Sequence, residues 1–221
     1  MPFRFGDLKQ RSRASWEAYC RHDFVRALGA GDLPGPAFRH YLQQDYLFLI
    51  HFARAFALAA YKSRDLADLR RAGDGLRAIL DVELDLHVAY CREWGIDEAA
   101  LARLPESRAT LAYTRYVLDT GNRGDLLDLH VALSPCMIGY AEIALWLLEQ
   151  PFTRLDGNPY APWIAMYAGD EFQQAARDER EWVDARLARV DAARFDELVE
   201  IFDAAARLEA DFWQMGLDLA D

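Results

Sequence analysis

Apolar side chains recur every three to four positions along nearly the whole of this 221-residue chain, and no segment sustains an alternation of period two. That spacing lays an apolar stripe along a helix and leaves nothing from which to build a sheet. Turn signals divide the pattern. It predicts helices over about 7–28 and 36–62, then a segment opened at 63–65 and interrupted near Gly73 and Gly75. A long helix to Trp94 follows, then one or two turns between Asp97 and Leu104. A Ser107 cap opens a helix to about Thr120, and an Asp125 cap opens one to about Gln150. Two more run over about 159–190 and 191–217. Residues 121–124 and 156–159 read as loops. No linker rich in Gly and Ser divides the chain. The expected fold is all-α: one domain over residues 1–221, a bundle of about seven to nine helices joined by short connections.

Charge narrows the range of functions. The chain has 25 Lys and Arg against 36 Asp and Glu, a net charge of −11. Its arginines are interleaved with acids, whereas a phosphate-binding face needs concentrated positive charge. Neither nucleic acid nor a membrane is therefore an expected partner. Apolar runs fall short of the ~18 residues of a spanning helix. No apolar stretch follows the cations at Arg4, Lys9, Arg11 and Arg13, so no secretory leader is expected. Three cysteines, Cys20, Cys91 and Cys136, form neither a disulfide framework nor a C-x-x-C site, which points to a reducing cytoplasm.

The residues that break the helical pattern carry the chemistry. Tyr41, Asp45, Phe48, Phe52 and Phe56 share one helix stripe, so Asp45 lies on an aromatic face. Phe202, Ala206, Glu209 and Trp213 form another, interrupted by Glu209. An ionisable group on such a face costs free energy unless it has a partner or a task. Each acid is either at the edge of its stripe, solvated or paired, or inside it with a function. In the third helix of interest, Pro135 removes a backbone hydrogen bond about ten residues from the start. Either the helix kinks there and continues, the preferred reading, or Ser134 caps a new one. In both cases Cys136 sits at a backbone irregularity, one turn before Tyr140. Tyr113 and Tyr116 lie on one further helix, and Tyr160, Trp163 and Tyr167 on another. Buried phenols need hydrogen-bond partners, and so many of them suit a flat ligand with polar edges.

Metal chemistry finds less support. Di-iron bundles use Glu-x-x-His pairs, and none occurs among the five histidines. Glu83 and His87 share a face at i, i+4, a spacing that suits hydrogen bonds to each other or to a neighbouring helix. No metal and no cofactor are expected.

The segments YLQQDYLFL (41–49), ALSPCMIGY (132–140), YAPWIAMY (160–167) and LEADFW (208–213) resemble the TenA/thiaminase II family in order and spacing, across essentially the whole chain. The resemblance implies a haem-oxygenase-like helical fold without haem, a homotetramer, and a small-molecule substrate. It implies hydrolysis of 4-amino-5-aminomethyl-2-methylpyrimidine to the hydroxymethyl pyrimidine and ammonia, and cleavage of thiamine, in thiamine salvage. It makes Cys136 the nucleophile and Glu209 the general acid/base. It gives Asp45 the pyrimidine's amino group and ring nitrogen, and gives Phe48, Tyr113, Tyr140 and Tyr167 the pocket wall. Phe48 stands where some relatives have Tyr, so any phenol donor at that position is lost. Two other readings remain beside the hydrolase. One is a metal-dependent or cofactorless oxidase on the same fold. The other is a non-enzymatic binding or regulatory protein.

Overall fold

The computed structural model describes residues 2–101 and 103–221, and its described residues are helical with no strand. The helices are α1 (Phe5–Arg11), α2 (Arg13–Cys20), α3 (Asp23–Ala30), α4 (Gly35–Lys62), α5 (Leu66–Ala78), α6 (Leu84–Glu93), α7 (Glu98–Leu101), α8 (Arg108–Arg123), α9 (Leu126–Ser134), α10 (Tyr140–Glu149), α11 (Ala161–Ala168), α12 (Asp170–Leu187) and α13 (Ala192–Asp218). One π-helical turn, Ile79–Glu83, joins α5 to α6, and another, Pro135–Gly139, joins α9 to α10.

Local chemistry sets several of the ends. The Asp65 and Ser107 side chains accept from the backbone N–H groups of Asp68 and Thr110 and so cap α5 and α8. Before α9, Asp125 accepts from the N–H groups of Leu127 and Asp128, while Asp128 accepts from the N–H of Asp125 at 2.7 Å. That reciprocal pair is a capping box built from two aspartates. Gly31 closes α3 at φ +77°, a left-handed conformation that favours glycine.

Several expected boundaries move. The helix read over 7–28 is three helices, broken at Ser12 and at Arg21 and His22. No Gly or Pro marks those breaks. The His22 ring accepts from the N–H of Phe24 at 3.2 Å and restarts the helix. The interruption read at Gly73 and Gly75 is absent. Helix α5 runs through both, because a lone glycine costs a helix only ~1 kcal/mol. The loop read at 121–124 is helical as far as Arg123. The segment 159–190 is split at Gly169, whose backbone is extended. The stretch Leu126–Glu149 is, contrary to the run-length reading, long and apolar enough to cross a bilayer, but 67% of its most apolar window is buried inside the protein.

The chain divides into two compact units. The first comprises residues 1–33 and 130–213. Its core holds Phe5, Trp16 and Phe202, with Trp16 stacked on Phe202 at 5.3 Å between ring centroids. The loop 150–160 is pinned to the end of α3. Asn158 Nδ2 donates to the carbonyls of Leu28 and Gly29, and the Tyr160 hydroxyl donates to Leu33. Buried His130 Nδ1 lies 2.7 Å from Glu179 Oε1, and its ring lies 3.9 Å from that of Trp182. The second unit comprises residues 34–129 and 214–221, with α5, α6, α7 and α8 packed around α4. Gln44 on α4 fixes the start of α8. Its Oε1 accepts from Ser107 N and Thr110 Oγ1, and its Nε2 donates to Pro105 O.

A Cβ at Gly139 would overlap the Tyr19 ring, whereas one at Gly73 would meet nothing within 4 Å. Gly139→Ala is therefore expected to destabilise by about 1–3 kcal/mol. Gly73→Ala is expected to stabilise by about 0.5–1 kcal/mol. Urea denaturation midpoints of the two variants check the pair.

Candidate active site

The first unit contains Cys136, Glu209, Tyr140 and Tyr167. Pro135 has no N–H to give the carbonyl of Val131, and the Ser134 hydroxyl donates to that carbonyl instead, at 2.9 Å. The helix therefore survives its proline, as the preferred reading expects. The irregularity is a widened turn over Pro135–Gly139 rather than a new N-terminus. Tyr19 donates its hydroxyl to Pro135 O at 3.1 Å and packs its ring against Gly139. Cys136 sits half-buried in this turn.

Aromatic rings surround the turn. Tyr140 lies 5.0 Å from Tyr167, 5.8 Å from Trp163 and 5.2 Å from Trp213, centroid to centroid. Gln173 Nε2 donates to the carbonyls of Ala141 and Tyr167, tying the end of α11 to α10. Glu209 is 1% exposed, so it lies inside its stripe rather than at the edge. Trp213 follows it by one helical turn, stacked on Phe24 at 5.0 Å. Cys136 and Glu209 thus each precede, by one turn, a ring of the Tyr140–Trp213 contact. Tyr19 and Trp163 belong to this wall although the sequence reading did not nominate them for the site. Tyr160 instead holds a loop. Cys20 is buried, and desolvation, with Glu142 and Glu209 nearby, holds its thiol well above the ordinary range.

The second unit contains Asp45, Phe48 and Tyr113. Phe48 and Tyr113 pack at 5.0 Å, on the α4–α8 contact that Gln44 fixes. Asp45 is 6% exposed. Its Oδ2 accepts from the Tyr41 hydroxyl at 3.4 Å and lies 3.5 Å from His87 Nδ1. No Lys or Arg pairs with it among the described residues, so the solvated or Arg-paired alternative is excluded. Burial pushes its carboxyl up to about 7, against a smaller downward pull from Tyr41. Glu83, on the π-helical turn before α6, is pushed up to about 7 by burial and then by the charge of Asp45. The same two causes push the Cys91 thiol up to about 12. His87 Nε2 lies 2.8 Å from the carbonyl of Leu42, and burial lowers the His87 pKa. The i, i+4 pair read from the sequence therefore reaches α4. What the sequence lacked was the identity of its partner there. Among the described residues no group of three or more His, Cys, Asp and Glu is placed to hold a metal.

Comparison with known proteins adds the following. The sequence profile of the TENA/THI-4/PQQC family matches residues 9–219. An uncharacterized protein of Haemophilus influenzae is 45% identical over 96% of this chain and 98% of its own length. An aminopyrimidine aminohydrolase of Halalkalibacterium halodurans is 38% identical over 94% of this chain and 92% of its own. A crystal structure from Silicibacter, described as a TenA family transcription regulator, superposes with a TM-score of 0.89 at 42% identity, covering 96% of each chain. The fold alone is shared with a Shewanella denitrificans domain described as heme oxygenase-like (TM-score 0.77, 14% identity, covering 98% of this chain and 93% of that one).

The raised carboxyls have a consequence for stability. An acid whose pKa is higher in the folded than in the unfolded chain binds more protons folded, so stability falls as pH rises between the two values. For Asp45 that window runs from about 4 to about 7. Asp45→Asn removes the cost, and its stability relative to the unsubstituted protein is expected to improve by on the order of 3 kcal/mol from pH 4.5 to pH 8. Denaturation at the two pH values measures it. A pH-independent difference contradicts the assignment.

Proposed function

Because the chain belongs to the TENA/THI-4/PQQC family, we propose that it is an aminopyrimidine hydrolase of thiamine salvage. Its substrate is 4-amino-5-aminomethyl-2-methylpyrimidine, which it converts to the 5-hydroxymethyl pyrimidine and ammonia, and it also splits thiamine. Cys136 is the nucleophile and Glu209 the general acid/base. Asp45 takes the amino group and ring nitrogen. Phe48, Tyr113, Tyr140 and Tyr167 stack on or flank the ring. The observation that supports this reading is the Tyr140–Trp213 packing at 5.2 Å, in which each ring follows by one helical turn the thiol or the buried carboxyl.

The chemistry follows from those groups. The sulfur adds to a ring carbon of an electron-poor pyrimidine, and the thiol proton passes to Glu209. Glu209 protonates the leaving amine, ammonia departs from the adjacent methylene, and water takes its place. The C–S bond then breaks, aromaticity returns, and the thiolate regains its proton. Covalent catalysis replaces one difficult step by two easier ones. A buried carboxyl is suited to carry the proton. Turnover of the aminopyrimidine and of thiamine tests the proposal. Glu209→Gln is expected to lose roughly 100-fold or more, and Cys136→Ser at least as much. Full activity in the serine variant refutes the nucleophile. The absence of turnover by the unsubstituted protein refutes the hydrolase and favours a regulatory role, as in the description of the Silicibacter relative.

The working form proposed is a homotetramer. It is supported by the apolar residues that α5, the following π-helical turn and α6 leave exposed, namely Leu66, Leu69, Leu80, Val82 and Leu86. Light scattering is expected to give four times the 25.2 kDa chain mass. Leu86→Glu is expected to shift the population toward smaller species. A monomer at micromolar concentration refutes the tetramer.

A further inference from the structure

The chain carries a net charge of −11, yet one cavity of its first unit is lined by four cations. The cavity lies among α1, α2, α3 and α10, and its volume of about 510 Å³ is ordinary for a small-molecule site. Lys9, Arg13, Arg21 and Arg26 line it together with two carboxylates, Glu17 and Glu142. Both carboxylates are already engaged. Glu17 pairs with Arg13 at 2.7 Å, and Glu142 accepts from Lys9 Nζ and from Trp16 Nε1. The Cys20 thiol in the cavity wall adds no negative charge, because burial, and then Glu142, hold it well above the ordinary range.

Arg21 and Arg26 differ from the other two cations. Their guanidinium carbons lie 4.1 and 5.4 Å from the ring centroid of Trp146, both against one indole. Arg21 Nη1 donates to Cys20 O and Arg26 Nε donates to Arg21 O, each at 3.1 Å. Among the described residues the other N–H groups of these two side chains meet no acceptor, and neither guanidinium meets a carboxylate. In the same unit Arg11, Arg13, Arg194 and Arg207 each lie within 3.1 Å of an acid. Two guanidiniums held against one ring repel each other, and a chain with 36 acidic residues sets none of them between the two. Stacking and the carbonyl contacts order both side chains in advance, which lowers the entropic cost of binding.

We propose that this cavity is a binding site for a small organic phosphate, whose phosphate group is held by Arg21 and Arg26. A phosphate dianion has enough oxygens to accept from both guanidinium forks, and its charge relieves their repulsion. A carboxylate, with one charge and two oxygens, satisfies a single fork. The rest of the lining serves the organic part. Gln10 and the Lys9–Glu142 and Arg13–Glu17 pairs offer donors and acceptors, and Trp16 offers an indole edge. None of the residues proposed for hydrolysis lines this cavity, so the site is distinct from the one described above.

Isothermal titration calorimetry with phenyl phosphate tests this. The unsubstituted protein is expected to bind it with a Kd below about 1 mM. Arg21→Gln and Arg26→Gln are each expected to weaken binding about tenfold. Arg21→Lys keeps the charge without the fork and is expected to restore only part of the loss. Arg11→Gln removes the same charge outside the cavity and is expected to leave the Kd unchanged. Glu17→Gln takes a negative charge out of the lining and frees Arg13, so binding is expected to tighten about threefold, a gain that a misfolded variant cannot imitate. Inorganic phosphate and benzoate are the comparison ligands, and each is expected to bind about tenfold more weakly than phenyl phosphate. Absence of phenyl phosphate binding overturns the proposal. So does a loss in Arg11→Gln equal to that in Arg21→Gln, which would mark an effect of net charge alone. Inorganic phosphate binding as tightly as the ester overturns the organic ligand, and benzoate binding as tightly overturns the phosphate.

Discussion

A helix that contains a proline must find another donor for the carbonyl four residues earlier, and much of the first unit is organised around that need. Ser134 supplies the donor to Val131, and the backbone answers with a turn one residue wider than an α-helix. The widened turn leaves the carbonyl of Pro135 to the Tyr19 hydroxyl and requires Gly139, since any side chain there would enter the Tyr19 ring. Cys136 is carried by this turn, and Tyr140 is the first residue of the regular helix beyond it. The positions of Tyr167, Trp163 and Trp213 follow from packing on Tyr140. A serine, a proline and a glycine thus place the Cys136 thiol at the edge of an aromatic wall.

The second unit meets the opposite constraint. Asp45 and Glu83 are carboxyls without a cation among the described residues, and burial of a charge costs several kcal/mol unless the group is neutralised or paired. Burial pushes both carboxyls toward the neutral acid, and the charge of Asp45 pushes Glu83 further. Stability surrendered between pH 4 and 7 is the other side of a site that can present a neutral acid near neutral pH. Such destabilised groups concentrate where a ligand, not the fold, supplies the missing partner. The Gln44 network opposite shows what a purely structural buried polar group looks like. The hydrogen bonds of its amide join α4 to the start of α8, and its role ends there.

Asp45 and Glu209 were legible in the sequence because each breaks an apolar stripe, and an amphipathic helix turns such a break into a buried acid. Cys136 was legible because Ser-Pro inside a helix marks a backbone irregularity. Tyr19 and Trp163 were not legible as parts of the site, because an aromatic residue on an apolar face looks the same whether it lines a site or fills a core. That Glu83 and His87 share a face could be read from their spacing, but the α4 carbonyl that His87 meets is 45 residues away in sequence. The breaks at Ser12 and His22 were invisible for a related reason. Neither residue is a strong breaker, and packing chose the break. Gly73 and Gly75 misled in the other direction, since a glycine weakens a helix without ending it.

The sequence by itself determined that this chain is all-helical, which residues face inward, and where the buried acids and the Ser-Pro-Cys segment stand along their helices. Those are matters of period, capping and composition, and they are decided within a few turns of chain. Only the tertiary structure decided which proton each buried group carries. The tautomer of His87 depends on the Leu42 carbonyl, and the raised carboxyl of Asp45 depends on its burial between helices that are distant in sequence. Charge state in a buried site is set by neighbours in space, and neighbours in space come only from the fold.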